Sequence, residues 1–425
     1  MSMGFLTWLA AARLYPASQV GIATSAISAM MLCGLIGILG VDLAVVALFP
    51  EHRERPAPLI DTAITVAVIS SVCCALIFVG IAAAGLHSLR VLASNPVDTA
   101  LVLTLTALCA AWWVMDQTGV ALRRSDHVLV RALADGSLTI VGVAVLGTIG
   151  LTRAGSILSA WVAAAIVACT MGLIQISRAT GGYRFRPRLG RRLTRRLLTV
   201  ALPNYALTAS DLAPGLILPI VAATALSTRF AAYWYAVWMM AFAAYTIPMS
   251  FGLHLFAEIA DESSEVAMHS RRSLRSGIAV GSAATVALVV LGPILLHFLG
   301  PAYASHGVTS LRLAALAVVP MVFTKTYLFA CRALGLIAEG TVAATVSGVL
   351  AVGLAIPGAR AFGLSGIAEA WLAAQLLSAL WAGFRLRSLI GDKTPSHRPQ
   401  RSAPSTDPDL TPARTPPVAS PPSVL

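Results

Sequence analysis

Four ionisable side chains lie inside stretches of sequence that are otherwise apolar: Asp211, Lys325, Arg312 and Glu369. A charge at the centre of a bilayer costs at least about 2.5 kcal/mol, so such groups usually face a cavity or a partner. A carboxylate in this setting can hold a proton or a sodium ion, and arginine and lysine pair with phosphate oxygens. These four residues are therefore the candidates for binding an ion or a substrate.

Asp211 lies in the middle of an apolar stretch, between Pro203 and Pro214. Prolines in a membrane helix often mark a bend beside a cavity. The carboxylate could bind a coupling proton or sodium ion, or it could be a structural group paired with a neighbouring helix. Both interpretations remain open on the sequence alone.

Lys325 is one of only two lysines among the 30 basic residues, and it follows Pro320 in the apolar stretch 308–331. A cationic lumen would suit a phosphate-bearing ligand, and we favour this role for Lys325 over snorkelling towards the inner interface. Arg312 lies near the outer end of the same stretch, where snorkelling is the favoured interpretation. Glu369 could face a lumen or lie at the interface.

Two pairs of charged side chains have the four-residue spacing that places them on one face of a helix. Arg131 and Asp135 are predicted to neutralise one another, and His254 and Glu258 are predicted to form a second local pair.

Aromatic residues crowd one stretch of the second half: Tyr233, Trp234, Tyr235, Trp238, Phe242 and Tyr245. They could offer a surface on which sugars stack. Tyrosine and tryptophan also gather at membrane interfaces for reasons of polarity alone, and this interfacial interpretation is favoured.

The elements that must position these residues are membrane helices. Eleven stretches of about 20 or more mostly apolar residues make up most of the chain, and about 20 helical residues cross a hydrocarbon layer. Hydrophobic residues make up 57% of the sequence, charged residues 11%, and the mean hydropathy is +0.81. A backbone in lipid must satisfy its own hydrogen bonds. These features predict an all-α polytopic membrane protein and exclude a soluble domain.

The basic residues predict the topology. Nineteen of them fall in segments on one side of the predicted spans and five on the other, so the positive-inside rule places both termini in the cytoplasm of a plasma-membrane protein. The net charge of +12 is then a topology signal and a contact for anionic membrane lipids, with no nucleic-acid partner implied.

The chain divides at its longest predicted inner loop, where the stretch 178–197 carries eight arginines and no acidic residue. Six spans precede the loop and six follow it if a short first apolar piece, 3–12, is counted, which predicts about 12 transmembrane helices in two six-helix lobes. That first piece is half the length of a span, so we expect either a re-entrant stub or, by preference, a true start further upstream. The predicted units are an amino-terminal lobe 1–178, a basic cytoplasmic loop 179–197, a carboxy-terminal lobe 198–390 and a disordered Pro/Ser-rich tail 391–425.

Three segments resemble the polysaccharide (O-antigen, Wzx-type) flippases of the multidrug/oligosaccharidyl-lipid/polysaccharide exporter superfamily. They are AARLYPASQVGIATSAIS (11–28), ALPNYALTASDLAPGLILP (201–219) with the stretch 233–261 that follows, and LGPILLHFLGPAY (291–303) leading into 310–320. The short first helix and the proline-rich tail depart from the family pattern.

This resemblance implies a V-shaped, two-lobed bundle that moves a polyprenyl-linked oligosaccharide to the outer leaflet by alternating access. In that case Lys325, with Arg312, would hold the pyrophosphate, Asp211 would couple an ion gradient, and glycan-assembly proteins would be partners.

Two alternatives remain. A cation-coupled multidrug exporter of the same superfamily shares the twelve-helix plan. A membrane glycosyltransferase or glycan polymerase is less favoured, because the predicted outer loops are short and poor in Asp and Glu. The sequence contains no GxxxxGK[ST] or HExxH motif and no metal-binding Cys/His spacing, so we expect no enzymatic activity, no cofactor and no metal.

Overall fold

The computed structural model describes residues 2–85, 87–261 and 266–391. The tail predicted to be disordered lies outside the described residues from position 392 onward.

Helices account for almost all of the described chain. In the amino-terminal half they are α1 (Ser2–Leu14), α2 (Ala17–Gly37), α3 (Val41–Leu48), α4 (Ala57–Gly85), α5 (Arg90–Ser94), α6 (Pro96–Ala121), α7 (Ser125–Thr148) and α8 (Ala154–Ala179). In the carboxy-terminal half they are α9 (Arg191–Ala225), α10 (Thr228–Asp261), α11 (Val266–Leu299), α12 (Pro301–Leu316), α13 (Val318–Ala333), α14 (Ile337–Phe362) and α15 (Leu364–Gly391).

Ten of these helices are long and apolar enough to cross a membrane: α2, α4, α6, α7, α8, α9, α10, α11, α14 and α15. The consecutive helices α12 and α13 form an eleventh candidate span, bent by 42°, and α1 adds a twelfth, shorter helix of 13 residues. No strand occurs in the part of the chain that the structure describes. The protein is therefore an all-α polytopic membrane protein with about twelve helices in two six-helix lobes, as predicted.

The bend between α12 and α13 follows from one proline. Pro320 has no N–H to donate to the carbonyl of Leu316, and its ring clashes with that carbonyl. Helix α12 ends at Leu316, and α13 begins two residues later. The bend therefore lies where the backbone hydrogen bond cannot form.

A second break divides the span that the sequence predicts over 18–49. Helix α2 ends at Gly37, and Leu39 and Gly40 adopt positive φ angles of 52° and 73° before α3 begins. Gly40 lies against Tyr205, since a Cβ at position 40 would be 2.6 Å from the Tyr205 Cβ. Glycine accommodates both the left-handed backbone and the close approach.

The inter-lobe segment is shorter than the predicted loop 179–197. Helix α8 ends at Ala179 and α9 begins at Arg191, so the last arginines of the predicted loop are helical. Arginine and leucine are good helix formers, which explains this extension of α9 over RRLTRRLL. How the chain divides into the predicted units stays a prediction.

The extended segment before α9 is held against α4. The Tyr183 hydroxyl donates to Asp61 Oδ1 at 2.6 Å, and the backbone N–H of Arg186 donates to the same oxygen at 3.2 Å. Burial and the Asp61 carboxylate raise the pKa of Tyr183, so this hydroxyl stays protonated and keeps donating.

Helix α9 contacts both sets of helices. Ala201 and Tyr205, in its first half, are buried in a core shared with α2, α3, α4 and α6. Further along, Pro214 lies against Gly348 of α14, where an added Cβ would be 2.6 Å from the proline Cγ. Helix α9 is therefore the element that links the two lobes.

The lobes touch at the end of the bundle where α1 ends and α10 begins, which we call the Arg13 end. Arg13 Nε donates to the carbonyl of Phe298 on α11 at 2.7 Å. Gly21 of α2 lies so close to α10 that an added Cβ would overlap the Thr228 carbonyl oxygen. The opposite end, where α3 leads into α4 and α9 begins, we call the Arg196 end; there Arg196 pairs with Glu51.

Candidate functional site: a buried ion pair between α9 and α13

The structure brings together two of the four predicted site residues. Lys325 Nζ on α13 lies 2.5 Å from each carboxylate oxygen of Asp211 on α9. The lysine side chain is 5% exposed and the aspartate side chain 19%, so the pair is largely withdrawn from solvent. Lys325 points at Asp211 rather than snorkelling, and Asp211 has the partner on a neighbouring helix that one interpretation expected.

The walls around the pair come from four helices. A narrow crevice beside Asp211 is lined by residues of α9, α13, α14 and α15, including Ser347, Trp371 and Gln375. Thr345 Oγ1 of α14 donates to Ser210 Oγ, next to the aspartate, at 3.0 Å. A buried ion pair is retained only where hydrogen bonds and close packing support it, and this crevice supplies both.

The interface between α9 and α13, which we call the α9–α13 seam, contains a second cation that the sequence did not reveal. Arg332 lies seven residues after Lys325, two helical turns along one face of α13. Its Nη2 donates to Thr208 Oγ1 at 2.8 Å, three residues before Asp211 on α9, and its Nε is buried without a hydrogen-bond partner. The guanidinium lies 5.2 Å from the ring centroid of Phe329. The seven-residue spacing from Lys325 is the sequence signal that could have identified it.

The other two predicted site residues lie elsewhere. Arg312 on α12 and Glu369 on α15 are both exposed, and neither forms an ion pair among the described residues. Arg312 is separated from Lys325 by the bend between α12 and α13. Glu369 lies on α15 near Trp371, which lines the crevice, but its own side chain is directed away. Their roles as ligands stay predictions.

A second ion pair lies close to the first along α13. Arg385 of α15 donates to Glu339 of α14 through Nε at 2.7 Å and Nη2 at 2.9 Å, and the Tyr327 hydroxyl of α13 donates to the same carboxylate at 2.8 Å. This bidentate arrangement is the strong form of an arginine–carboxylate contact. It ties the three helices together at their Arg196 end.

A cavity of about 570 Å³ lies among α13, α14 and α15, with Tyr327 and Glu339 of the second ion pair in its wall. Its lining is almost entirely apolar and includes Val342, Val346, Leu377 and Trp381. Thr324 and Ser347 line both this cavity and the crevice at Asp211. The buried pair therefore has an apolar chamber of drug size as its neighbour.

One predicted local pair is wrong and the other is present. Arg131 does not pair with Asp135 but with Asp116 on α6, and it donates to Gln175 on α8 at 3.1 Å. The long arginine side chain points towards these partners on the adjacent helices. The four-residue spacing within one helix gives no information about residues on neighbouring helices. His254 and Glu258 do pair, at 3.4 Å.

The aromatic residues of α10 form a core instead of an interfacial belt. Tyr233, Trp234 and Tyr245 are buried. Tyr245 donates to the Ala314 carbonyl at 2.7 Å and accepts a hydrogen bond from Trp371 Nε1 at 2.9 Å. The favoured interfacial interpretation is therefore wrong for these residues, because α12 and α15 pack over them.

Comparison with known proteins gives structural relatives only. No family model and no curated protein sequence matches the chain. The inward-facing conformation of a multidrug resistance MATE family transporter of the MOP superfamily is similar with a TM-score of 0.70 at 13% identity, over 92% of this chain and 96% of that one. The outward-facing conformation of a MATE transporter gives 0.60 at 14% identity, over 92% and 94%.

A MOP superfamily transporter from Pyrococcus furiosus gives a TM-score of 0.60 at 13% identity, over 92% of this chain and 91% of that one. The chain thus has the fold of MOP superfamily transporters, the superfamily to which the sequence resemblance pointed. Identities this low show the fold alone, and the narrower resemblance to polysaccharide flippases is not confirmed.

Proposed function

We propose that the protein is a cation-coupled exporter of amphiphilic, drug-sized molecules that works by alternating access in the plasma membrane. The similar solved structures are described as multidrug resistance transporters, in inward- and outward-facing conformations. That support favours an exporter over the lipid-linked oligosaccharide flippase that the sequence resemblance implied.

The observation that carries the proposal is the Asp211–Lys325 pair beside an apolar cavity. Breaking a buried ion pair costs about 3–5 kcal/mol, so the unpaired Asp211 carboxylate is sparsely populated. Asp211 therefore binds either Lys325 or an incoming proton or sodium ion. Exchange of these partners would loosen α9 from α13. Because α9 contacts both lobes, such a change can be transmitted to the contact between the lobes.

The neighbouring cavity fits the substrate class. A volume of about 570 Å³ lies within the usual range of sites for drug-sized ligands, which are mostly apolar with a few polar groups. Sugar headgroups would need many hydrogen-bond partners, and this lining offers few. Val342 and Leu377 in this lining are 64% and 51% exposed, so in a membrane this side of the cavity faces hydrocarbon, from which an amphiphile would enter.

A transport assay tests the proposal. We expect purified protein in proteoliposomes to accumulate ethidium, a lipophilic cation, when a proton or sodium gradient is imposed. Asp211→Asn should lower gradient-driven uptake at least about tenfold, since the coupling carboxylate is gone. Asp126→Asn, which neutralises an exposed carboxylate in the first turn of α7, is the matched control and should transport normally. Equal uptake by Asp211→Asn and the wild type would refute the coupling role.

The proposed orientation places the Arg196 end in the cytoplasm. In a background without native cysteines, we expect Arg153→Cys to react with an impermeant maleimide from outside intact cells and Arg184→Cys to react only after the cells are broken. Both side chains are exposed, so access across the membrane decides the outcome. Labelling of Arg184→Cys in intact cells would reverse the topology.

One observation favours the flippase as a second candidate. The α9–α13 seam holds two cations, Lys325 paired with Asp211 and Arg332 hydrogen-bonded to Thr208, and the Arg332 Nε is buried without a partner. Such a seam could hold the pyrophosphate of a polyprenyl-linked oligosaccharide, and glycan-assembly proteins would then be partners. Proteoliposomes that translocate a fluorescent polyprenyl-linked oligosaccharide, but not ethidium, would establish this function, and Arg332→Gln should slow it.

A further inference from the structure

A second cavity, of about 970 Å³, lies on the opposite side of α15 from the apolar chamber at the ion pair. Residues of α11, α13 and α15 line it, among them Val319, Pro320, Phe323, Gly383 and Phe384. Val319 and Pro320 lie in the first turn of α13, so the bend between α12 and α13 shapes this end of the cavity. We call this cavity the α15 groove.

The side chains that α15 contributes to the groove are apolar and exposed. Leu380 is 72% exposed and Phe384 67% exposed. In a membrane protein such side chains face acyl chains, so the long axis of the groove offers an apolar surface that a single hydrocarbon chain can line.

Two arginines lie at one end of the groove. Arg271 is near the start of α11 and Arg387 near the end of α15, which places both at the Arg196 end of the bundle. Both are exposed, neither forms an ion pair within the described part of the chain, and no acidic residue lines the groove. Arginine presents a planar fork of donors that matches phosphate oxygens.

We propose that the α15 groove binds one anionic glycerophospholipid, with its phosphate between Arg271 and Arg387 and an acyl chain along Phe323 and Phe384. The charge favours an anionic lipid over a zwitterionic one, since none of the described residues that line the groove is a carboxylate that could receive a choline or ethanolamine group. This site is separate from the proposed transport site. A lipid chain on Pro320 would support the bent conformation of α12 and α13, and α13 carries Lys325.

Native mass spectrometry of the purified full chain tests this site. After incubation with phosphatidylglycerol or phosphatidylcholine, we expect the wild type to retain phosphatidylglycerol with a preference of about tenfold. The double variant Arg271→Gln/Arg387→Gln should lose that preference. Arg272→Gln removes the adjacent charge, which lies in a separate crevice with Glu258, and should bind like the wild type.

A third variant tests the groove rather than the charge. Gly383 lines the groove and no atom lies within 4 Å of a Cβ built there, so the side chain of Gly383→Phe would start in open space and occupy part of the groove. It should reduce retention of phosphatidylglycerol although both arginines remain.

Several outcomes would overturn the proposal. They are undiminished phosphatidylglycerol binding by the double arginine variant or by Gly383→Phe, equal binding of phosphatidylcholine by the wild type, and displacement of the lipid by glycerol phosphate alone. Preferential binding of a polyprenyl phosphate would also overturn it, because the groove would then serve a flippase substrate. None of these results depends on ethidium uptake, so the transport proposal is tested independently.

Discussion

Lys325→Met is expected to lower the free energy of unfolding by about 3–5 kcal/mol, because it leaves the Asp211 carboxylate in a largely buried crevice without its cation. Equilibrium unfolding in mixed detergent micelles would measure this change. No other cation contacts Asp211 among the described residues: Arg332, further along α13, reaches Thr208 instead. The loss should therefore be close to the full cost of an unpaired buried charge.

The double variant Asp211→Asn/Lys325→Met separates stability from coupling. Removing both charges together should restore stability to within about 1 kcal/mol of the wild type, since replacing a whole buried pair is often neutral. We nevertheless expect the double variant to lack gradient-driven uptake, because no carboxylate remains to exchange its partner. A stable double variant with normal uptake would make the pair purely structural.

Gly21→Val should stop transport while leaving the fold intact. Any Cβ at position 21 overlaps the Thr228 carbonyl at the start of α10, so α2 and α10 cannot close at the Arg13 end. Overpacking of this kind costs typically about 1–3 kcal/mol, which lowers the population of the closed arrangement about 5- to 150-fold relative to the open one. The proposed alternating access would require this closed arrangement once in every cycle.

Thiol labelling reports the opening directly. Ser25 lies one turn further along α2 and is fully buried. In a background without native cysteines, because Cys73 is exposed, Ser25→Cys should therefore react slowly with a maleimide. In combination with Gly21→Val the reaction should accelerate by up to a similar factor, about 5- to 150-fold. Gly80→Val is the matched control, since no atom lies within 4 Å of a Cβ there, and it should change neither labelling nor uptake. Unchanged labelling in Gly21→Val would mean that the lobes do not separate along this seam.

Together these variants examine two parts of one cycle. The ion pair on α9 and α13 is where a cation would act, and the contact of Gly21 with α10 is where access would be controlled. Helix α9 connects them, because Tyr205 packs against Gly40 of the first lobe and Pro214 against Gly348 of the second. If Lys325→Met also accelerates the labelling of Ser25→Cys, the ion pair and the contact at Gly21 are coupled.

Much of the candidate site could be predicted from the free-energy cost of placing a charged side chain in an apolar span. Asp211 and Lys325 stand out because a charge in an apolar span is expensive, and the sequence already left open that Asp211 pairs with another helix. Which helix provides the partner could not be predicted, since the two residues are 114 positions apart. The same limit explains the error at Arg131, whose partner Asp116 lies on a neighbouring helix rather than one turn along its own.

The sequence by itself determined the class of fold. Hydrophobic spans of sufficient length can only be helices in lipid, and Pro320 determines a bend because its missing N–H is a local property. Only the tertiary structure decided what the side chains do. It placed the α10 aromatics under α12 and α15, directed Glu369 outward, and opened an apolar cavity beside the ion pair. Packing between helices decides these features, and it depends on the shapes of many distant residues at once.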